Sequence, residues 1–392
     1  MTYREPWSKR HKQVSRGARF NPSNSVAQPL EMKQLIELAE ARGDHGLVEM
    51  FHEHSLEYTA MGGSLDLRSQ IAACYGAGIA ADNIIVFAGA QVALQTVARA
   101  LLDERSHSIV FSPGYQSLQD APRGEGGQVT TIPLRPEDGW QIDLSLVAAA
   151  LRPETKLLVI NEPYNPAGAL MSAESQRQLV DLAAKNDLYV LSDEVYRLLE
   201  HDPKDRLPAM ADVYAKGLSL ATLSKPWGGC GITIGWLASQ DLELRQKLID
   251  VQYFGTACPS RASEIQALMV LRSSDEILSR NLVIIRRNLA LLDAFFAAYE
   301  DLFAWVRPKA GAIAFVRFKG PLSSEELGVE MARASISVKP AYVFTQDLAR
   351  YGDYFRIGYG EESMPAALEA LTQFVEERAE AWRAQRVSPG RD

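Results

Sequence analysis

The stretch LSLATLSKPWGGCGITIGW, residues 218–236, decides how the rest of the chain is read. An apolar run with the composition of a buried strand ends in Ser224-Lys225, a Pro-Trp-Gly-Gly turn follows, and a second apolar run begins at Ile232. Lys225 therefore falls at a strand-to-loop corner. Burial at such a corner lowers the pKa of an amine and makes it a nucleophile toward aldehydes. The alternative is a lysine that covers its stem and snorkels to water beyond the turn.

Working outward, the segments before this stretch repeat one rhythm. Strand NIIVFAG, residues 83–89, runs into a helix beginning at Ala90, and the next strand, SIVF, closes on Ser112-Pro113-Gly114-Tyr115. QVTTIPL, a helix over 143–151, KLLVINEP, a helix over 173–186 and LYVLSDEVY continue the alternation, which is that of a parallel α/β sheet. The strands are nearly continuous apolar runs, as expected when helices cover both faces. Before them, residues 1–28 read as an irregular polar arm, followed by a helix from Pro29 to just short of Gly43 and another starting near Leu65. After residue 240 the pattern turns to long helices. A smaller α+β unit follows, with strands over 312–317 and 354–358, a helix over 324–334, a last helix over 364–383 and a disordered tail, RVSPGRD. The expected division is an arm with part of the small domain at 1–45, a large α/β domain at 46–270 and a small α+β domain at 271–392.

Composition excludes several classes. With 41 Lys and Arg against 49 Asp and Glu, the mild acidity gives no nucleic-acid footprint. No apolar run approaches the length of a membrane span, and the N-terminus lacks the core of a signal peptide, so a cytoplasmic protein is expected. Cys74, Cys230 and Cys258 are too few and scattered for a disulfide framework or a zinc site. His52 and His54, two apart, read as solvated rather than as ligands.

In an open α/β sheet, ligands bind beyond the carboxyl ends of the strands, and this chain puts its unusual polar residues there. Gly89-Ala90-Gln91 opens a helix whose free amides suit a phosphate. Tyr115 offers an aromatic face, or simply packs. Asn161 and Asn165 lie in the turn-rich loop NEPYNPAG. Asp193 ends an apolar strand, where a carboxylate needs a cation, and Tyr196 follows it by three. An imine-forming lysine, a carboxylate for a ring cation, an amide and a phenol for a ring oxygen, a stacking aromatic and a phosphate cup together match the requirements of pyridoxal 5'-phosphate.

NEPYNPAG, SDEVYR, TLSKPWGGCGITIGW and FRIGYG, in this order, resemble the motifs of the class I/II aminotransferases, which are fold-type-I pyridoxal phosphate-dependent enzymes. The resemblance implies an α/β large domain with a mostly parallel seven-stranded sheet between helices, plus the small α+β domain. It implies that Lys225 is the Schiff-base lysine and proton shuttle, that Asp193 faces the pyridine nitrogen, and that Asn165 and Tyr196 hold the ring hydroxyl. It also implies that Tyr115 stacks on the ring, and that Gly89, Ala90, Gln91, Thr222 and Ser224 form the phosphate cup. Tyr58 corresponds to a tyrosine that reaches the phosphate from the partner subunit, which implies a homodimer with sites at the interface. Arg356 corresponds to the clamp on the substrate α-carboxylate, with Asn165 nearby.

The sequence departs from the pattern in a few places. Thr233 stands where the family has a phosphate-neutralising arginine, and FNPSNSVAQP replaces a Gly-rich entry loop. Ala341 follows Pro340 where the family often has glycine, and the indole of Trp227 is expected to wall the substrate pocket. The implied reaction is transfer of an amino group between an α-amino acid and a 2-oxo acid. Looser similarity to capreomycidine synthase-like members leaves elimination, cyclisation or oxidation as the alternative chemistry. A sensor domain is a third class, but no helix-turn-helix or basic patch accompanies it.

Overall fold

Seven short apolar runs make the central sheet of this computed structural model, which describes residues 5–386. They are β1 (Ile84–Phe87), β2 (His107–Ser112), β3 (Gln128–Pro133), β4 (Thr155–Asn161), β5 (Tyr189–Asp193), β6 (Gly217–Thr222) and β7 (Gly235–Ser239), in the order β1-β7-β6-β5-β4-β2-β3. The pairings of β3, β2, β4, β5 and β6 are parallel, while β7 runs antiparallel to both β6 and β1. The reversal has a local cause. The Pro-Trp-Gly-Gly turn after Lys225 brings the chain straight back, with no crossover helix of the kind a parallel return requires. Being antiparallel to β7 in its turn, β1 points the same way as β6, so Phe87, Ser112, Asn161, Asp193 and Thr222 all end at one edge. β4, β5 and β6 are almost wholly buried because helices cover both faces.

A second sheet is antiparallel, ordered β10-β11-β9-β8 from β8 (Phe303–Trp305), β9 (Ile313–Phe318), β10 (Lys339–Pro340) and β11 (Tyr354–Gly358). The helix Ser274–Ala298 lays Ile285, Leu289 and Leu292 against it, and Met364–Glu376 adds Leu371 and Phe374. Each fully buried aliphatic side chain of this kind contributes about 1.5–3 kcal/mol.

Four sequence expectations change. The arm is not wholly irregular, because Ser8–Val14 is helical. The next helix runs Met32–Ala41 rather than starting at Pro29, since Glu31 and Gln34 form a reciprocal capping box that fixes its start. His45–Glu53 is a further helix, on which His52 is exposed while the ring Nδ1 of His54, just past its end, meets the carbonyl of Phe51 at 2.9 Å. The last helix is broken into Met364–Glu376 and Ala379–Arg386, and the break lets Trp382 pack edge-on to Phe318 and against Phe374. The tail beyond Arg386 lies outside the described residues. Among the described residues no helix is long and apolar enough to cross a membrane, and no His, Cys, Asp and Glu cluster could hold a metal ion.

The arm does more than trail. Residues 20–28 thread between the two sheets: Gly358 N–H donates to the Pro22 carbonyl at 2.6 Å and Ala27 N–H to the Lys225 carbonyl at 3.0 Å. Glycine makes this possible. A Cβ on Gly358 would stand 1.7 Å from the Asn24 carbonyl oxygen, and one on Gly360 2.0 Å from that of Val26.

Candidate active site

At the carboxyl edge of the large sheet, roofed by β10, β11 and the arm, lies a cavity of about 750 Å³. Its walls include Gly89, Ala90, Gln91, Tyr115, Asn165, Asp193, Tyr196, Thr222, Ser224, Lys225 and Arg356. A larger groove of about 1020 Å³ between the arm helix and residues 116–123 holds none of these.

Each wall has a local reason. Gly89, at φ +95°, caps the helix Ala90–Leu101, whose first-turn amides face outward with no partner inside the helix. A Cβ on Gly235 would come within 2.4 Å of the Ala90 nitrogen, so the glycine lets β7 close against this helix start. The loop after β4 is folded by Asn161, which donates to the Asp193 carbonyl at 2.7 Å and accepts from the Asn165 amide at 2.7 Å. That double bond leaves Asn165 presented to the cavity, where its Oδ1 accepts from Arg356 Nη1 at 3.0 Å. The two asparagines thus divide the work between holding the loop and facing the site. Tyr115 accepts a hydrogen bond from Gln91, whose Oε1 accepts from Ser117 at 2.9 Å.

Buried charge dominates the electrostatics. Asp193 is buried, and desolvation pushes its carboxyl up to about 7, with the cationic Lys225 pulling the other way. Its carboxylate accepts from Val195 N–H at a long 3.3 Å, so the group suits a cation facing it. Arg356 is 2% exposed; Nη2 donates to the Ser23 carbonyl at 2.9 Å, the guanidinium lies 5.1 Å over the Phe344 ring, and Nε has no partner. Lys225 is half-buried and donates to Ser25 Oγ at 3.3 Å. The hydroxyl of Thr222 donates to the Ile234 carbonyl at 2.9 Å, which leaves Ser224, 3.2 Å away, as the hydroxyl free to turn toward an anion.

Two expected site residues stand apart. Trp227 does not wall the pocket: 2% exposed, its indole donates to Ser274 at 2.6 Å and packs 6.0 Å from Trp236, because Gly228 at φ +65° turns the chain and sends the side chain back into the core. Tyr58 lies outside the cavity, 90% exposed. Sequence reasoning also missed His11, Ser23, Ser25, Lys339 and Phe344, which line the cavity. Ser23 and Ser25 lie in FNPSNSVAQP, the segment where the motif pattern already failed. Lys339 sits just before Pro340-Ala341, and nothing in that stretch marks it as part of a site.

The chain belongs to a family: the model of "Aminotransferase class I and II" matches residues 27–371. It is 31% identical to capreomycidine synthase of Streptomyces vinaceus over 253 residues, 64% of this chain and 63% of that one. It is 34% identical to an arginine–pyruvate transaminase of Pseudomonas aeruginosa over 46% of this chain and 47% of the relative, so in both cases the chain spans less than two thirds of the relative's length. A solved pyridoxal phosphate-dependent aminotransferase of Streptococcus suis superposes with a TM-score of 0.88 at 27% identity, covering 96% of this chain and 99% of that one.

The fold is that of the fold-type-I pyridoxal phosphate enzymes, and the cofactor of the family is pyridoxal 5'-phosphate. The residues present fit that group: an amine with no carboxylate bonded to it, a buried carboxylate without a cation bonded to it, and a helix N-terminus closed by glycine.

Proposed function

We propose that this enzyme is an aminotransferase acting on an α-amino acid and a 2-oxo acid. The observation that carries the reading is the convergence of Lys225, Asp193, Asn165, Tyr196 and Arg356 on one cavity. Bound pyridoxal phosphate supplies an electron sink that makes the proton on the substrate α-carbon acidic. Asp193 would hold the ring nitrogen protonated. Asn165 and Tyr196 would hold the ring oxygen, Tyr115 would cover the ring face, and Gly89, Ala90, Gln91, Thr222 and Ser224 would cradle the phosphate. Arg356, already steadied by Asn165 and the Ser23 carbonyl, would orient the substrate carboxylate. The Lys225 amine, positioned by Ser25, would take the α-proton and return it to the neighbouring carbon.

Similarity to capreomycidine synthase supports a second reading, cyclisation or elimination from the same amino-acid complex. Incubation of the holoenzyme with single amino acids and no acceptor separates the two. Transamination gives one 2-oxo acid per site and then stops; continued turnover with ammonia or a cyclised product overturns it.

A homodimer is part of the proposal. Leu56, Tyr58 and Phe254 are at least 84% exposed, and the Tyr58 carbonyl accepts from Arg261 at 3.4 Å, which ties the 56–65 segment to the region after the helix Leu242–Tyr253. Such apolar exposure suits a partner surface. Light scattering that returned the mass of a single chain would remove Tyr58 from the site. The arm and small sheet we assign to one substrate-closing domain over 1–45 and 271–392, and the remainder to a cofactor domain over 46–270. The unpaired Cys74, Cys230 and Cys258 suit a cytoplasmic location.

A further inference from the structure

Lys339 has no task in the reading given so far. It lines the cavity from β10, directly across from Arg356 in the antiparallel β10–β11 pair, so the two side chains stand on one face of the small sheet. Like charges opposed in this way weaken a sheet unless something else requires them. Lys12, on the arm helix, lines the cavity close enough to act on Lys339, and its buried neighbour His11 has Nε2 3.5 Å from Ser337 Oγ. Burial pushes the Lys339 amine down to about 6, and the cations Arg356, Lys225 and Lys12 add to the shift. No ion pair to Lys339 or Lys12 occurs among the described residues, and the only carboxylate lining the cavity is Asp193, the group proposed for the cofactor ring.

The phosphate end is a different place. There Thr233, at φ +57° in the turn just before β7 of the large sheet, has its methyl 3.7 Å from a Cβ position on Gly89, beside the helix Ala90–Leu101, whereas Lys339 belongs to the small sheet. Arg356 is the family's match for the substrate α-carboxylate. The amine left over at that end faces no carboxylate, and an anion brought against it would hold it protonated.

We infer that Lys339, with Lys12 at the arm, forms a subsite for a second carboxylate, so that the preferred amino acid and 2-oxo acid carry an acidic side chain. The inference rests on the aminotransferase reading. It separates this chain from a transaminase for arginine, because a guanidinium side chain would be brought into a cation-lined pocket.

The test uses holoenzyme, calorimetry with glutarate against butyrate, and single-turnover formation of 2-oxo acid from glutamate against glutamine. The wild type is expected to favour the second carboxylate by roughly 10- to 100-fold, the strength of a charge-assisted pair. Lys339→Met should abolish most of that ratio, while Lys339→Arg should retain it even where the methionine variant fails to fold. Equal binding of glutarate and butyrate by the wild type overturns the subsite, as does a ratio unchanged in Lys339→Met. Loss of cofactor from Lys339→Met with no change in the ratio assigns the lysine to the phosphate and likewise overturns it. Borohydride labelling of Lys225 in the same preparations keeps the two readings apart. An unlabelled lysine removes the cofactor role, whereas a labelled enzyme indifferent to the second carboxylate removes only this inference.

Discussion

Thr233 is the residue at which the chemistry is most exposed to test. It is β-branched yet left-handed at φ +57°, a conformation that crowds such side chains, and in the proposed aminotransferase reading it stands where a cation would meet the cofactor phosphate. Thr222 adds little there, since its proton is committed to the Ile234 carbonyl. Thr233→Arg should therefore slow release of the cofactor on dialysis by roughly 10- to 150-fold, equivalent to about 1.5–3 kcal/mol for a charge-assisted hydrogen bond. An unchanged release rate would mean that the helix amides and Ser224 already suffice. Trp227, three positions before the free thiol of Cys230, gives the contrasting lesson. Adjacency to Lys225 in sequence predicts nothing about direction once a glycine at positive φ follows.

At the scale of elements, the arm and β11 form a lock made from opposite ends of the sequence. Gly358→Ala would drive its Cβ into the Asn24 carbonyl and displace residues 22–28, taking the Ser23 carbonyl from Arg356 and Ser25 from Lys225. The expected result is a raised KM for the amino acid and faster proteolysis within the arm, with bound cofactor much less affected. Equal loss of cofactor and substrate binding would show that the arm holds both. The same elements mark how far sequence reading reached. The sheet strands, the three long helices after β7 and the cavity-facing Asp193, Lys225 and Arg356 were legible, because periodicity and strand-end position are local signals. The arm was not legible. Its contacts run to residues more than 300 positions away, through the Asn24 side chain to Glu361 and the Ser23 carbonyl to Arg356, and no local pattern announces them. Lys339 escaped for a related reason, since a two-residue edge strand has no periodicity to read.

At the scale of the molecule, the chain carries a buried acidic cluster behind the site. Burial pushes Glu162 up to about 8 and Glu194 up to about 7, and the charges of Glu194 and Glu200 add to the rise at Glu162. Raised carboxyl values mean that the folded protein binds these protons more tightly than the unfolded chain does. This contribution to stability is complete below about pH 4.5 and is lost as the pH rises through 7 to 8. Burial of His11, which falls to about 4, acts in the opposite direction as the pH drops below 6.5. Glu162→Gln keeps an acceptor for the Met171 amide and removes the charge, so it should raise stability at pH 8 by roughly 1–3 kcal/mol and leave it nearly unchanged at pH 4.5. Denaturant midpoints at the two pH values measure this, and an equal shift at both would point to packing instead.

The threading of residues 22–28 against Gly358 and Gly360 also sets an order of events during synthesis. An early segment waits for a much later one before it can settle, so the strands around Lys225 can be made before β11 and its Arg356 exist. A nascent chain halted before Arg356 would carry the Lys225 amine in an open, unguarded cleft, and only completion of the small sheet draws the early residues across it.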